Sequence, residues 1–188
     1  MPAVDTSLIT KVVKQLSAPP AYAGVGVKGS ILSVAAASYG YRADLDELTQ
    51  PTGFDPEAAR LFEAIVESAY LIAHADGRFE PGEAAFQQVV LAACDGFVAE
   101  RQVTALLLEL KALLLEEGLD QRVATVARAV SRPEHAREVL RVAALLAEVS
   151  GGVSDLERGV MMRLAERFGL AGSDLQQALS EVTSALGR

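Results

Sequence analysis

A short acidic turn holds the residue types in this chain that are best suited to chemistry. Asp76 and Glu83 bound the segment Asp-Gly-Arg-Phe-Glu-Pro-Gly-Glu, with Glu80 between them and His74 two residues ahead. Carboxylate oxygens are the ligands that calcium and magnesium prefer, and imidazole nitrogen together with carboxylates suits a transition metal. The turn is therefore a candidate site for a divalent cation, formed by Asp76, Glu83, Glu80 and His74. No other cofactor is predicted.

The spacing of this turn also invites comparison with a calcium-binding EF-hand loop. Asp76, Gly77 and Glu83 would take loop positions 5, 6 and 12. Positions 1 and 3 would then fall on Ile72 and His74, and neither residue supplies a carboxylate. An EF-hand therefore does not fit this turn.

Helix capping explains most of the same residues without an ion. Gly77 stands where a helix C-terminus favours a left-handed residue, and Glu83 takes the third position of the helix that follows. His74, near a helix end, is able to interact with the last carbonyl groups. Asp76 is explained less well, because an acid there meets the negative end of the helix dipole. Cation binding and capping both remain open for this turn.

A second turn, at residues 150–157, repeats the pattern 74 residues later. Gly151 and Glu157 stand at the equivalent places, but Ser150 replaces the aspartate. Ser154 and Glu157 have the spacing of a capping box, in which each side chain accepts a hydrogen bond from the backbone of the other. Ser150 and Glu157 are therefore predicted to be structural, and duplication of a helical hairpin explains the repeat.

The segment Ala-His-Ala-Asp-Gly-Arg-Phe-Glu-Pro-Gly-Glu at residues 73–83, repeated in weaker form downstream, resembles the tellurite-resistance TerB-like family. It is also similar to the related N-terminal domain of membrane-anchored DnaJ-like co-chaperones. The resemblance covers roughly residues 55–187 and leaves out 1–50. It implies an all-helical fold of about seven helices, a cytosolic and non-enzymatic role in stress response, and metal binding by the turn acids. Ser150 removes one such acid from the second turn.

Helix signals run through the whole chain, and no segment alternates as a strand does. They predict an all-α fold built on two related helix–turn–helix units, and the resemblance implies a compact bundle of about seven helices. Residues 1–50 are predicted to form a partly helical N-terminal arm with a Gly-rich loop, and 51–188 the TerB-like domain. The predicted helices are 5–16, 31–39, 55–75, 81–94, 98–117, 119–130, 133–149, 154–168 and 173–186, with a single helical turn at 43–49. Asp55 is the predicted N-cap of the helix at 55–75, with Pro56 at its first position, and Gly118 is predicted to end the helix at 98–117.

The leucine-rich stretch at 103–115 is apolar around more than half of its helical circumference. We expect it to be the central core helix, since a helix that is hydrophobic on most sides is usually buried. A homodimer interface is the alternative. The predicted partner is accordingly another protein or a second copy of this chain.

Charge and cysteine content restrict the partners and the compartment. The net charge is −8 and there is no basic cluster, which argues against nucleic acid. The single cysteine, Cys94, cannot form a disulfide within the chain; we expect it to be buried and inert, as suits a reducing cytoplasm. His135, at the start of a helix, is expected to be solvated. No apolar run reaches the ~20 residues of a spanning helix, so stable membrane insertion is not expected.

No set of residues in the sequence supplies a nucleophile, a base and an oxyanion site together, so an enzyme is not expected. The leading hypothesis is a non-enzymatic TerB-like module in bacterial stress response, with weak cation binding at Asp76 and Glu83. The alternative is a protein–protein interaction module without metal, in which the turn acids serve only as helix caps.

Overall fold

The computed structural model describes residues 6–19, 29–41, 55–76, 83–149 and 153–187. This part of the chain is all-helical, with two helices before residue 51 and seven after residue 54. In chain order they are α1 (Thr6–Ser17), α2 (Ile31–Gly40), α3 (Pro56–Ala73), α4 (Glu83–Ala93), α5 (Glu100–Glu117), α6 (Leu119–Ala129), α7 (Pro133–Val149), α8 (Asp155–Arg167) and α9 (Gly172–Leu186). The single helical turn expected at 43–49 lies outside the described residues.

Two long helices, α3 and α7, form the centre of the bundle. They pack against each other, α3 also contacts α2, α6 and α8, and α7 also contacts α1, α4 and α9. From Ala136 to Leu146 every α7 residue except Arg137 is buried, and α3 is almost continuously buried from Leu61 to Ile72. Burial on nearly all sides identifies these two helices as the core.

The start of α3 follows the local signals in the sequence. Asp55 is extended, and its Oδ1 accepts hydrogen bonds from the amides of Glu57 and Ala58 at 2.9 and 3.3 Å. Pro56 takes the first helical position, where no amide hydrogen is needed. The predicted N-cap is confirmed.

The leucine-rich helix does not lie at the centre. Helix α5 contacts α3, α4 and α6 and buries only Val103, Leu106, Leu107 and Leu110. Leu108 and Leu115, on its other side, are 63% and 80% exposed. The expectation of a central core helix was wrong, because the apolar residues of α5 divide between one face in the core and one face on the surface.

The first two helices share the core with the rest of the molecule. Val12 and Leu16 of α1 and Leu32 of α2 are at most 1% exposed and belong to the same apolar cluster as α3 and α7. Gly40, at the end of α2, lies so close to Phe97 that a β-carbon there would overlap the Phe97 carbonyl. The α2 end is thereby packed tightly against the connection that precedes α5.

Gly118 separates α5 from α6 with a φ of 79°. This left-handed backbone is unfavourable for residues with a β-carbon, so the predicted end of the long helix at Gly118 is confirmed. The last helix begins one residue earlier than expected, at Gly172 rather than at Ser173. Its N-terminus is stabilised by Asp174, whose Oδ2 accepts a hydrogen bond from the Ala171 amide at 2.9 Å.

Within the described residues, no helix combines the length and the apolar character needed to cross a membrane.

Candidate functional site

The first turn begins where α3 ends against Tyr70. His74 closes α3, its amide donating to the Tyr70 carbonyl at 3.0 Å. The ring centroids of Tyr70 and His74 are 3.9 Å apart, and Phe86 of α4 meets Tyr70 edge-on at 6.4 Å. Aromatic stacking thus fixes the end of α3 against α4.

The imidazole of His74 is oriented by the backbone. Its Nδ1 lies 2.9 Å from the Tyr70 carbonyl oxygen. Because a carbonyl oxygen only accepts, Nδ1 carries the proton and Nε2 carries the lone pair. The predicted interaction of His74 with a carbonyl near the end of its helix is confirmed.

Burial and nearby charges set the ionisation of this cluster. Burial lowers the pKa of His74, while the Tyr70 carbonyl, Glu83 and Asp76 oppose that shift. Burial, reinforced by the charge of Glu83, raises the pKa of Tyr70 to about 12. Both carboxylates therefore act electrostatically on His74, which is neutral at pH 7.

Of the four predicted metal ligands, the structure describes His74, Asp76 and Glu83 but not Glu80. Asp76 is exposed, and Glu83, the first described residue of α4, is half-buried. Glu80 and the rest of 77–82 lie outside the described residues, so the predicted roles of Gly77 and of Glu83 as a third-position cap remain predictions. In the described segments, no group of three or more His, Cys, Asp or Glu side chains is arranged to hold a metal ion.

The second turn contains the predicted capping box. The amide of Glu157 donates to Ser154 Oγ at 3.3 Å, and Glu157 Oε2 accepts from the Ser154 amide at 2.7 Å. Glu157 is 7% exposed and lies against the core, so capping is a sufficient role for this acid. Ser150 lies outside the described residues.

Cys94 fits its expected inert character. The side chain is fully buried, and burial raises the pKa of its thiol to about 12. A thiol that stays protonated at neutral pH is a poor nucleophile and a poor metal ligand.

Two buried ion pairs were not found from the sequence. Glu67 and Arg122 meet at 2.7 Å with side chains 9% exposed, although 55 residues separate them. Glu138 and Arg141 form two hydrogen bonds within α7. The sequence signal for such a pair is a charged residue on the apolar face of a helix. That signal does not identify an oppositely charged partner that is distant along the chain.

A basic cleft was also missed. Arg60 of α3 comes together with Arg128, Arg132 and His135 around the connection from α6 to α7. His135 is half-buried rather than solvated, which corrects the expectation for this residue. The sequence gives no local motif for this cleft, because Arg60 is far along the chain from the other three.

Comparison of the chain with family models, with curated proteins and with solved structures gave no match in any of the three.

Proposed function

We propose that this chain is a non-enzymatic helical interaction module that pairs with a second copy of itself through the outer face of α5. The observation that carries this proposal is the exposure of Leu108 and Leu115, at 63% and 80% of their surfaces. Together with the exposed Ala105 and Ala112 they form a continuous apolar strip, here called the α5 stripe. Large apolar residues grouped on a surface mark sites of interaction more often than isolated ones do.

The spacing of the α5 stripe favours another helix as the occupant. Successive members are three, four and three residues apart, which is the a/d repeat of a coiled-coil seam. The opposite face of the same helix, at Val103, Leu106, Leu107 and Leu110, is fixed in the core. The stripe is therefore held rigidly and does not need to order itself before binding, which lowers the entropic cost of association.

The stripe is complementary to itself in an antiparallel, two-fold arrangement. Leu108 of one copy would then lie opposite Ala112 of the other, and Leu115 opposite Ala105. Each large side chain meets a small one, as close packing of two helices requires. A two-fold axis also closes the assembly at two copies, which is the commonest symmetry among soluble oligomers.

Size and charge make this pairing weak. About three helical turns bury far less than the ~800 Å² per partner of a standard interface. Each copy carries a net charge of −8, and Glu109, beside the stripe, would approach its own symmetry mate. Because salt screens such repulsion, added salt should strengthen the association.

Sedimentation velocity over a range of protein concentrations tests the pairing. We expect a monomer–dimer equilibrium that shifts toward dimer when sodium chloride is added. The variant Leu108→Gln/Leu115→Gln removes the apolar contact and keeps good helix formers, so it should remain monomeric. The matched control is Leu156→Gln/Met162→Gln on α8, whose side chains are 59% and 51% exposed. It should associate as the unchanged protein does.

A monomer at all concentrations and salt levels, or equal dimerisation by the α5 and α8 variants, would contradict the proposal.

Disulfide cross-linking tests the relative orientation of the two α5 helices. In an equimolar mixture of the single variants Ala105→Cys and Leu115→Cys, antiparallel helices should give the mixed disulfide between the two variants under oxidising conditions, whereas parallel helices would join each variant to itself. The native Cys94 does not compete, because it is fully buried.

The proposal includes an origin by duplication, with α3–α4 and α7–α8 as the two related helix–turn–helix units. In its support, each unit pairs a long central helix with a shorter one that begins near an acid, Glu83 or Glu157. The proposal also includes a role in bacterial stress response, which is supported by the likeness of residues 73–83 to the TerB-like family.

A second candidate function is weak binding of a divalent cation at the first turn. It is favoured by the positions of Asp76, two residues after His74 at the end of α3, and of Glu83 at the start of α4. Calorimetric titration with calcium, magnesium, manganese and zinc tests it, with an Asp76→Ala/Glu83→Ala variant as the comparison. Binding that is lost in the variant supports the site. No binding by the unchanged protein, or equal binding by both, would remove it.

A further inference from the structure

A cleft of about 380 Å³ opens beside the N-terminal ends of α3 and α7. Arg60 comes from α3, Arg128 from the end of α6, and Arg132 and His135 from the start of α7. We call this the arginine cleft. Its volume lies within the range of small-molecule sites and is too small for a macromolecule to enter.

The positive charge of the cleft contrasts with the net charge of −8 carried by the whole chain. Arg122, Arg137, Arg141 and Arg163 elsewhere in the fold all pair with carboxylates. In the described part of the chain, Arg60, Arg128 and Arg132 form no ion pair; Arg128 donates only to the Thr125 hydroxyl, at 3.0 Å. Three guanidinium groups therefore line one cleft, and none of them forms an ion pair with a described side chain.

Two acids line the cleft and do not cancel this charge. Asp55 is engaged as the N-cap of α3, its Oδ1 accepting from two backbone amides. Glu57 lies in the first turn of α3 at the positive end of the helix dipole. With His135 neutral, three arginines against two carboxylates leave the cleft with an excess of one positive charge.

Part of the cleft wall is apolar. Ile31 and Ala35 of α2 and Leu61 of α3 line it, and Val34 lies at its edge with 63% of its surface exposed. A ligand that fills this space therefore contacts both hydrocarbon and guanidinium groups.

We propose that the arginine cleft binds a small molecule in which one phosphate group is joined to an apolar body. A guanidinium presents paired N–H donors that match two phosphate oxygens, and several arginines together spread over the oxygens of one phosphate. The apolar wall holds the body of the ligand. This site is independent of the α5 stripe and of the first turn.

His135 reports on occupancy of the cleft. Burial and the neighbouring Arg132 lower the pKa of His135, and Glu134 and Glu57 oppose that shift. A phosphate dianion held by Arg60, Arg128 and Arg132 adds negative charge beside the imidazole, so it raises the pKa of His135. His74, the other histidine of the chain, lies at the far end of α3 and serves as an internal control.

The test measures the binding of phenyl phosphate by calorimetry and by NMR of the two histidine Cε1–H groups. We expect saturable binding, an upward shift in the pKa of His135 and no change at His74. Inorganic phosphate should bind at least tenfold more weakly, since it leaves the apolar wall unfilled. Benzoate, with the same ring and a carboxylate, should also bind more weakly.

Variants separate a specific site from general attraction between charges. Arg128→Gln and Arg60→Gln should each weaken phenyl phosphate binding roughly tenfold or more, as expected for a charge-assisted hydrogen bond. Arg167→Gln on α8 changes the net charge equally and should leave binding unchanged. The substituted residues, Arg60, Arg128 and Arg167, are all exposed, so we expect each variant to fold. An unchanged His74 signal verifies the folded state.

Three outcomes overturn the proposal. The first is the absence of saturable phenyl phosphate binding at millimolar concentration. The second is an equal loss of binding in Arg167→Gln and Arg128→Gln, which indicates non-specific attraction. The third is tighter binding of benzoate than of phenyl phosphate, which assigns the cleft to carboxylates instead.

Discussion

The Glu67–Arg122 pair links α3 to α6 inside the protein. Arg122 Nε lies 2.7 Å from Glu67 Oε1, and its Nη1 donates to Glu117 at 3.1 Å. Burial raises the pKa of Glu67, and the guanidinium opposes that shift. The carboxylate in turn raises the pKa of Arg122. The two charges are therefore retained together at the cost of desolvating both.

Arg122→Ala should destabilise the protein by about 3 kcal/mol at pH 7, because it leaves Glu67 charged and buried without its partner. A carboxyl whose pKa is raised in the folded state favours folding below its usual value of 4.5 and loses that contribution as pH rises through the folded pKa. The deficit should therefore shrink as pH falls from 7 toward 4.5. Urea unfolding at several pH values measures it.

The double variant Glu67→Leu/Arg122→Met is the control for this experiment. It replaces the pair with apolar side chains and should recover most of the lost stability at pH 7. If the single variant loses little, or if its deficit grows as pH falls, Glu67 does not depend on Arg122 in the way described.

At the scale of a single helix, the second turn shows how local signals start α8. Ser154 and Glu157 exchange hydrogen bonds with each other's backbone, and Asp155 adds an acid to the first turn. Amides at a helix N-terminus lack acceptors within the helix, and these side chains supply two of them. This motif depends on residues three apart, so it was predictable from the sequence.

Ser154→Ala should lower the free energy of unfolding by about 1 kcal/mol, the usual cost of losing an N-cap side chain. Ser173→Ala is the control: it lies within the first turn of α9, is exposed, and should change stability by less than about 0.5 kcal/mol. Chemical denaturation followed by circular dichroism compares the two. Equal losses of unfolding free energy in the two variants would show that the Ser154 cap does not stabilise α8.

At the scale of the whole molecule, α1 is bound into the fold from two sides. Val12 and Leu16 enter the common core, and Arg141 of α7 donates to the carbonyls of Gln15 and Ala18 at 3.1 and 3.4 Å. Those carbonyls belong to the C-terminal end of α1, where cations are favoured. The region predicted as an arm thus contains a helix that contributes to the common core.

Leu16→Ala should therefore destabilise the whole protein by about 3 kcal/mol, as for a fully buried leucine. Leu156→Ala, at a leucine 59% exposed, should cost well under 1 kcal/mol. Urea unfolding is followed by near-ultraviolet circular dichroism, which reports aromatic residues and receives none from α1, and by far-ultraviolet circular dichroism, which reports all helices including α1. A separate early transition in Leu16→Ala, with the remaining unfolding unchanged, would mean that α1 is not part of the cooperative unit.

By itself the sequence determined the helical class, most helix boundaries and the caps at Asp55, Gly118 and Ser154, because these depend on residues within a few positions of each other. Only the tertiary structure decided that α3 rather than α5 is central. The two helices have similar apolar content, and their positions depend on which neighbours cover each face. The Glu67–Arg122 pair and the arginine cleft were likewise decided by the tertiary structure, since each joins residues more than fifty positions apart.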